Sequence, residues 1–261
     1  MIQWNCNSYR DKYAELQLLL STYSPYVVCL QETRLCPTNR VSCPNYKIYR
    51  NANESPLGQH GVMIMIKDTL SQHLIPLNTT LQAVACSVEL DQVQLCICCI
   101  YLPPSIPVDM NSLNSLFVAL PQPCLLLGDF NAHSVLWGSP HPNSRGNIVQ
   151  SFVESNGLFV LNDGSPTFVS AQGYTSHIDV SLSSQSIAND WQWCRIDDLH
   201  SIDHFPLLIV LDSGPPLYNT RRSRFIHDGA DWEMFRNKLD LSQIPLERNI
   251  SCIIEDMHKA F

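Results

Sequence analysis

What most constrains this chain is a unit that recurs along it: a short apolar run that stops on a polar residue able to grip a cation or a phosphate. The clearest instance is Cys124-Leu125-Leu126-Leu127-Gly128-Asp129-Phe130-Asn131-Ala132-His133. The apolar run reads as a fully buried strand. Gly128 is expected to let the chain turn tightly as the strand ends. Asp129 and Asn131 lie two apart and share a side if the chain stays extended. A carboxylate and a carboxamide on a rigid base suit a hard cation or a phosphate, and they equally suit a strand end capped by turn-forming residues. A calcium loop is excluded, because the sixth and twelfth positions from Asp129 are Ser134 and Pro140, not Gly and Glu.

The unit repeats from the start of the chain. Ile2–Ser8 opens like a strand and then breaks; a helix is expected over 12–23, capped by Asp11 and ended by Pro25. Tyr26–Leu30 is a second buried strand with Gln31-Glu32 at its end. Strands follow at Tyr46–Arg50 and Gly61–Lys67, separated by a polar loop over 51–60. Gln82–Leu90 and Val93–Leu102 form a hairpin turning at Asp91-Gln92, and Pro103-Pro104 stops its pairing just after Tyr101. A helix over 110–120 starts at Asp109, and a second, Arg145–Asn156, is closed by Gly157. Leu158–Leu161, Thr175–Leu182, Trp191–Ile196 and Phe205–Leu211 are the remaining strands. Thr175–Leu182 places Ile178, Val180 and Leu182 on one face and His177, Asp179 and Ser181 on the other. Asn5, Glu32, Tyr101, Asp129, Asn131, Asp179, Asp203 and His204 therefore sit at strand ends or on polar strand faces. Many strands with few helices suggest two stacked sheets with helices outside, so that polar groups converge at one edge.

Composition narrows the class. The chain has 261 residues, of which 45% are hydrophobic, enough for a sizeable core. No apolar run reaches the length of a membrane span, and the start has no basic flank leading into an apolar segment. Met1 lies almost inside the first strand, so the chain looks clipped there. Eleven cysteines are read as reduced thiols of an intracellular protein, with Cys96, Cys98 and Cys99 as small hydrophobes inside a strand. The net charge of -8 lies wholly in residues 1–212, where 17 Asp/Glu face 9 Lys/Arg; residues 213–261 carry 7 of each. An acidic body is unlike a plain nucleic-acid-binding surface and compatible with a carboxylate-rich metal site. From about Ser213 the composition turns to Gly, Pro and Arg, which reads as a linker, followed by helices over 231–241 and 245–261.

Taken together, Trp4-Asn5, Gln31-Glu32-Thr33, Tyr101-Leu-Pro103, Gly128-Asp129-Phe130-Asn131, Ser176-His-Ile178-Asp179 and Asp203-His204 occur in the order and spacing of the endonuclease/exonuclease/phosphatase superfamily. Within it the chain looks most like the apurinic-endonuclease-like domain of non-LTR retrotransposons, particularly jockey-like elements, which His133 and Trp137-Gly138 also resemble. The resemblance covers residues 1 to about 212. It implies a DNase I-like, four-layered α/β sandwich and Mg²⁺-dependent phosphodiester hydrolysis, with Mn²⁺ as a substitute.

It also implies roles. Glu32 would be the main metal ligand, helped by Asp203. His204 would contact the scissile phosphate, with Asp179 holding its other ring nitrogen. Asp129 would orient or deprotonate the attacking water. Asn131 and Tyr101 would donate to the phosphate, and Asn5 would support Asp129 and Glu32. Asn7 stands where repair enzymes of the superfamily carry Asp, which favours the retrotransposon branch; Ile202 stands where many relatives have Ser. Asn7, Thr167 and His133 would lie near substrate. The implied partner is double-stranded DNA, with element RNA reached through a reverse transcriptase part beyond this chain, which is then a fragment or degenerate copy. The implied protein is a monomer without a membrane role, nuclear when it acts and cytoplasmic otherwise. The alternatives are another phosphoesterase of the same fold, acting on inositol phosphates or sphingomyelin, and an inactive remnant that only binds nucleic acid.

Overall fold

The computed structural model describes residues 1–51, 59–90 and 93–212; the turn at Asp91-Gln92, most of the loop over 51–60, the linker and the helices expected at 231–241 and 245–261 lie outside the described residues. In chain order the elements are β1 (Ile2–Asn5), α1 (Tyr13–Tyr23), β2 (Val27–Gln31), β3 (Tyr46–Arg50), β4 (Val62–Lys67), β5 (Gln72–Ile75), β6 (Gln82–Leu90), β7 (Val93–Tyr101), α2 (Met110–Val118), β8 (Cys124–Asp129), α3 (Ser144–Ser155), β9 (Leu158–Val160), β10 (Phe168–Val169), β11 (Thr175–Ser176), β12 (Asp179–Ser184), β13 (Trp191–Arg195) and β14 (Leu207–Leu211). One six-stranded sheet has the order β13-β14-β1-β2-β4-β3, the other β5-β6-β7-β8-β12-β9, and β10-β11 form a small hairpin. Both large sheets are mixed: β1 runs parallel to β2 and β7 parallel to β8, while the remaining pairs are antiparallel.

The layers follow from which faces are apolar. Val27, Cys29, Ile64 and Ile66 of the first sheet pack against Val84, Ile97, Leu125 and Leu127 of the second. The outer face of the first sheet, with Ile2, Trp4, Val28 and Leu30, is covered by Leu16 and Leu19 of α1. The outer face of the second, with Cys98, Leu126 and Val180, is covered by Leu113 and Leu116 of α2 and by Val149 and Phe152 of α3. Central strands are thus buried on both faces, which is why β2, β4 and β8 read as almost unbroken apolar runs. This is the four-layered α/β sandwich expected from the sequence. The ten described cysteines are free. Cys96 and Cys99 stand at C-x-x-C spacing, yet Cys96 packs under the helices and Cys99 between the sheets, because three residues along a strand change face.

Three local expectations are corrected, and one strand is added. Gly128 does not make a turn; it lies within β8 opposite Ile100, and a Cβ there would come 1.9 Å from the Ile100 carbonyl oxygen. Its role is close approach of two backbones. Asp11 does not cap α1, whose N-cap is Lys12 with no side-chain cap, whereas Asp109 does cap α2 by accepting from the Ser112 amide. Thr175–Leu182 is not one strand: β11 belongs to the small hairpin and β12 to the second sheet, with His177-Ile178 as the crossover. The edge strand β5 escaped the sequence reading because it alternates weakly and only Ile75 of its residues is buried.

The clash at Gly128 involves backbone, which side-chain movement does not relieve. Gly128→Ala is therefore expected to lose about 3 kcal/mol of stability. Chemical denaturation measures this, and a midpoint equal to that of the wild type would overturn the close-approach account.

Candidate active site

The strand ends deliver their polar residues to one edge of the sandwich, and hydrogen bonds tie them into one cluster. Asn5, buried at the end of β1, donates through Nδ2 to Glu32 Oε1 and to Asp129 Oδ2, both at 2.9 Å. Glu32 follows β2 in the left-handed region, with φ of 47°, a conformation that a non-glycine residue holds only when its surroundings enforce it. Its Oε1 also accepts from the Tyr101 hydroxyl at 3.0 Å. Asn131 is left-handed as well, and this folds the chain back so that its amide donates to Asp129 Oδ1 at 2.9 Å. Its carboxamide Nδ2 donates to the Leu102 carbonyl at 3.2 Å, which leaves the second hydrogen free.

His204 completes the cluster from the other side. Its Nδ1 lies 2.9 Å from Asp179 Oδ2 and its Nε2 3.9 Å from Asp129 Oδ2. The ring packs edge-on against Phe168, with centroids 4.9 Å apart, and the backbone carbonyl accepts from Trp4 Nε1 at 3.2 Å. Burial disfavours the His204 cation, but the charge and hydrogen bond of Asp179, then Asp129 and Asp203, overcome this and raise its pKa to about 9. Burial and the neighbouring Asp179 push Asp129 up to about 7, against the pull of His204, the Asn131 amide and Asn5. At neutral pH His204 is a cation, so both ring nitrogens are donors. The Asn5 Nδ2 at 3.4 Å from Nε2 is then a packing neighbour, and Nε2 lies on the Asp129 side of the ring. Burial and the charges of Glu32 and Asp129 raise the Tyr101 hydroxyl, which stays a phenol and a donor.

Other predicted residues fall around this centre. The Asn7 amide donates to Asn5 Oδ1 at 3.2 Å, and Asn7 Oδ1 is buried without a hydrogen-bond partner, as is Asp203 Oδ1. Thr167 is not a surface residue available to DNA. It is fully buried, and its Oγ1 accepts from the amides of Ile178 and Asp179 at 3.2 and 3.1 Å, pinning the crossover that presents Asp179. His133 stands outside the hydrogen-bonded cluster. It lines a neighbouring cleft with Ser139, His141, Thr175, Ser176 and His177, and its Nδ1 is 3.4 Å from the Ser139 hydroxyl.

Some supporting residues escaped the sequence reading. Gln3, fully buried between the sheets, donates to the Gly128 carbonyl at 3.0 Å and accepts from the Ser181 hydroxyl at 2.7 Å; that hydroxyl accepts from Trp193 Nε1 at 3.0 Å. Asn162 donates to the Asp179 carbonyl and accepts from the Ser181 amide, both at 2.9 Å. The available signal was an amide side chain in or beside an apolar run, where burial demands a partner.

Asp129, Asp179 and His204 bring their ligand atoms within 4.8 Å of one another. His204 Nδ1 is already committed to Asp179, so the trio acts as a cation held between two carboxylates. A charged imidazole over a carboxylate, beside carboxamide and phenol donors, is equipped to take a proton from water and to neutralise a phosphate. The fold that carries this cluster is the one implied by the resemblance to the endonuclease/exonuclease/phosphatase superfamily.

Comparison with known proteins shows what the chain is similar to. A family model described as endonuclease-reverse transcriptase matches residues 95–208. The chain is 28% identical over 252 residues to the RNA-directed DNA polymerase from mobile element jockey of Drosophila melanogaster, covering 94% of this chain and 27% of that protein. It is 25% identical over 257 residues to the probable RNA-directed DNA polymerase from transposon X-element of the same species, covering 96% and 28%. The chain thus spans about a quarter of the length of these curated relatives. Among solved structures, the endonuclease domain of TRAS1, a telomere-specific non-LTR retrotransposon, matches with a TM-score of 0.69 and 21% identity over 80% of this chain and 96% of that one. The AP endonuclease LMAP from Leishmania major matches with a TM-score of 0.65 and 12% identity, over 80% and 86%. These structural likenesses bear on the fold.

The His204–Asp179 pair gives a direct test. An unfolded histidine titrates near about 6.5. Because the folded value is higher, the pair's contribution to stability is full below that pH and is lost as pH rises through about 9. Imidazole NMR should find His204 titrating near 9, and in Asp179→Asn the value should fall. An unchanged titration would remove Asp179 as the cause.

Proposed function

We propose that this chain is the DNA-cutting domain of a non-LTR retrotransposon protein. It hydrolyses one phosphodiester of double-stranded DNA and leaves a 3′-hydroxyl that primes reverse transcription. The observation that carries this reading is the buried Asp129 beside a His204 cation, with Asp179 holding the far side of the ring. In the reaction, Asp129 takes a proton from water while the water oxygen bonds to phosphorus. The bond from phosphorus to the 3′-oxygen breaks, and that oxygen takes a proton from solvent water to become the 3′-hydroxyl. His204 Nε2–H and the Asn131 carboxamide donate to phosphate oxygens, where negative charge grows in the transition state, and the Tyr101 hydroxyl joins them by turning its one hydrogen from Glu32 to the phosphate.

The donor set fits a hard divalent cation, Mg²⁺ or in its place Mn²⁺. Glu32 offers a carboxylate whose side chain is 21% exposed, and Asn7 Oδ1 and Asp203 Oδ1 are buried oxygens with no hydrogen-bond partner. Glu32 and Asp203 would hold the ion, which supplies positive charge to the phosphate when bound. Arg34 stands 3.6 Å from Glu32 Oε2, and its half-exposed side chain is able to swing clear. The partners that follow are double-stranded DNA and, through a reverse transcriptase part outside this chain, element RNA. The domain would act as a monomer, in the nucleus when it cuts and in the cytoplasm otherwise.

Nicking of supercoiled plasmid tests the reading. Mg²⁺ should support nicking and EDTA abolish it, and His204→Ala and Asp129→Ala should each lower the rate at least about a hundredfold. Nicking that ignores both substitutions, or no Mg²⁺-dependent nicking by the wild type, would sink the assignment. The acidic body carries another expectation: DNA affinity should fall with salt along a slope corresponding to fewer than about six phosphate contacts. A steeper slope in a binding titration would contradict it.

A further inference from the structure

The turn that delivers Asp203 and His204 is strained and contains no glycine. It runs Asp198-Leu199-His200-Ser201-Ile202, and both His200 and Ser201 are left-handed, with φ of 49° and 61°. Consecutive left-handed residues with side chains persist only where neighbours enforce them. Inside the turn, the His200 amide donates to Asp198 Oδ1 at 2.9 Å and the Ile202 amide to the Leu199 carbonyl at 3.1 Å.

The remaining restraint comes from α1 and its first cap residue, on the far side of the first sheet from the sandwich core. Lys12 Nζ donates to the Ser201 carbonyl at 2.8 Å, and Glu15 Oε2 lies 3.1 Å from His200 Nδ1. A carboxylate only accepts, so His200 carries its proton on Nδ1. Lys12 and Glu15 are three apart and share a helix face. The His200 side chain is only 5% exposed, and its ring lies edge-on to Trp4, centroids 6.1 Å apart. The indole of that same Trp4 donates to the His204 carbonyl. The N-cap Lys12, Glu15 of α1, one histidine and one tryptophan thus meet the turn on both sides of its strained pair.

We propose that Lys12, Glu15 and His200 are positioning residues: a clamp that holds the strained turn and so keeps His204 Nδ1 on Asp179. None of the three contacts the hydrogen-bonded cluster. The catalytic consequence rests on the phosphodiester hydrolysis proposed above; the structural consequence does not.

The test uses the full chain with Glu15→Ala and Lys12→Ala, and with the conservative Glu15→Gln and Lys12→Arg, which keep an acceptor and a donor. The buried Nδ1–H of His204 should give a downfield proton resonance protected from solvent exchange. That resonance should broaden or vanish in both alanine variants and return in both conservative ones. The nicking kcat should fall on the order of tenfold to a hundredfold in the alanine variants, as expected for a displaced reacting group, with KM little changed. Asn114→Ala is the control. It removes the Asn156–Asn114 hydrogen bond of 2.9 Å, remote from the turn, and should leave resonance and kcat as in the wild type. Alanine variants indistinguishable from the wild type or from the control would overturn the clamp. If no protein nicks at all, the hydrolase reading fails, while the resonance still decides the clamp. Should Glu15→Ala fail to fold, Lys12→Ala, at a partly exposed side chain, carries the same comparison.

Discussion

One carboxamide holds the site together. Asn5 belongs to the first sheet, as does the strand leading to Glu32, whereas Asp129 ends a strand of the second sheet. Two carboxylates brought to one edge repel each other and lose hydration. The Asn5 Nδ2 gives each a hydrogen without adding a charge of its own. The His204 cation compensates Asp129 and Asp179 on the opposite side. The cluster therefore depends on the relative placement of two sheets, and the buried Gln3–Ser181–Trp193 network fixes that placement a few residues away. Apolar packing between sheets is tolerant of small slides, and directional hydrogen bonds are not.

The central strands were legible in the sequence because their burial on both faces forces near-continuous apolar runs, whereas the edge strand β5, mostly unburied, was not. The residues of the cluster were legible because each follows such a run: Asn5, Glu32, Tyr101, Asp129, Asp179 and His204 all meet where their positions implied. What could not be read was the use of individual polar atoms inside the fold. Thr167 has the spacing of a residue near substrate, yet it spends its hydroxyl on two amides. Gly128 looks like a turn former, yet it yields space to the neighbouring backbone at Ile100. Thr175–Leu182 alternates as one strand, yet its two halves pair with different partners. Each of these depends on a neighbour distant in sequence, and local periodicity contains no information about that neighbour.

The acidic composition acquires a physical location as well. Asp129 and Asp179 are buried and tied to a histidine cation, so they add little to the field that an approaching polyanion meets. Regional counting by sequence weighs them equally with exposed carboxylates. Net charge thus overstates the repulsion between this domain and a phosphate backbone, though the small number of Lys and Arg residues still limits the attraction.

The pairing of β1 with β14 has a consequence for when the site exists. Asn5 is the first residue of the cluster to leave the ribosome and His204 the last, and β1 cannot be flanked on both sides until β14 is made. A growing chain holds carboxylates without their cation and a first strand without its partner. The cluster is complete only when synthesis has passed the final strand, so a chain interrupted before it holds the carboxylates without His204.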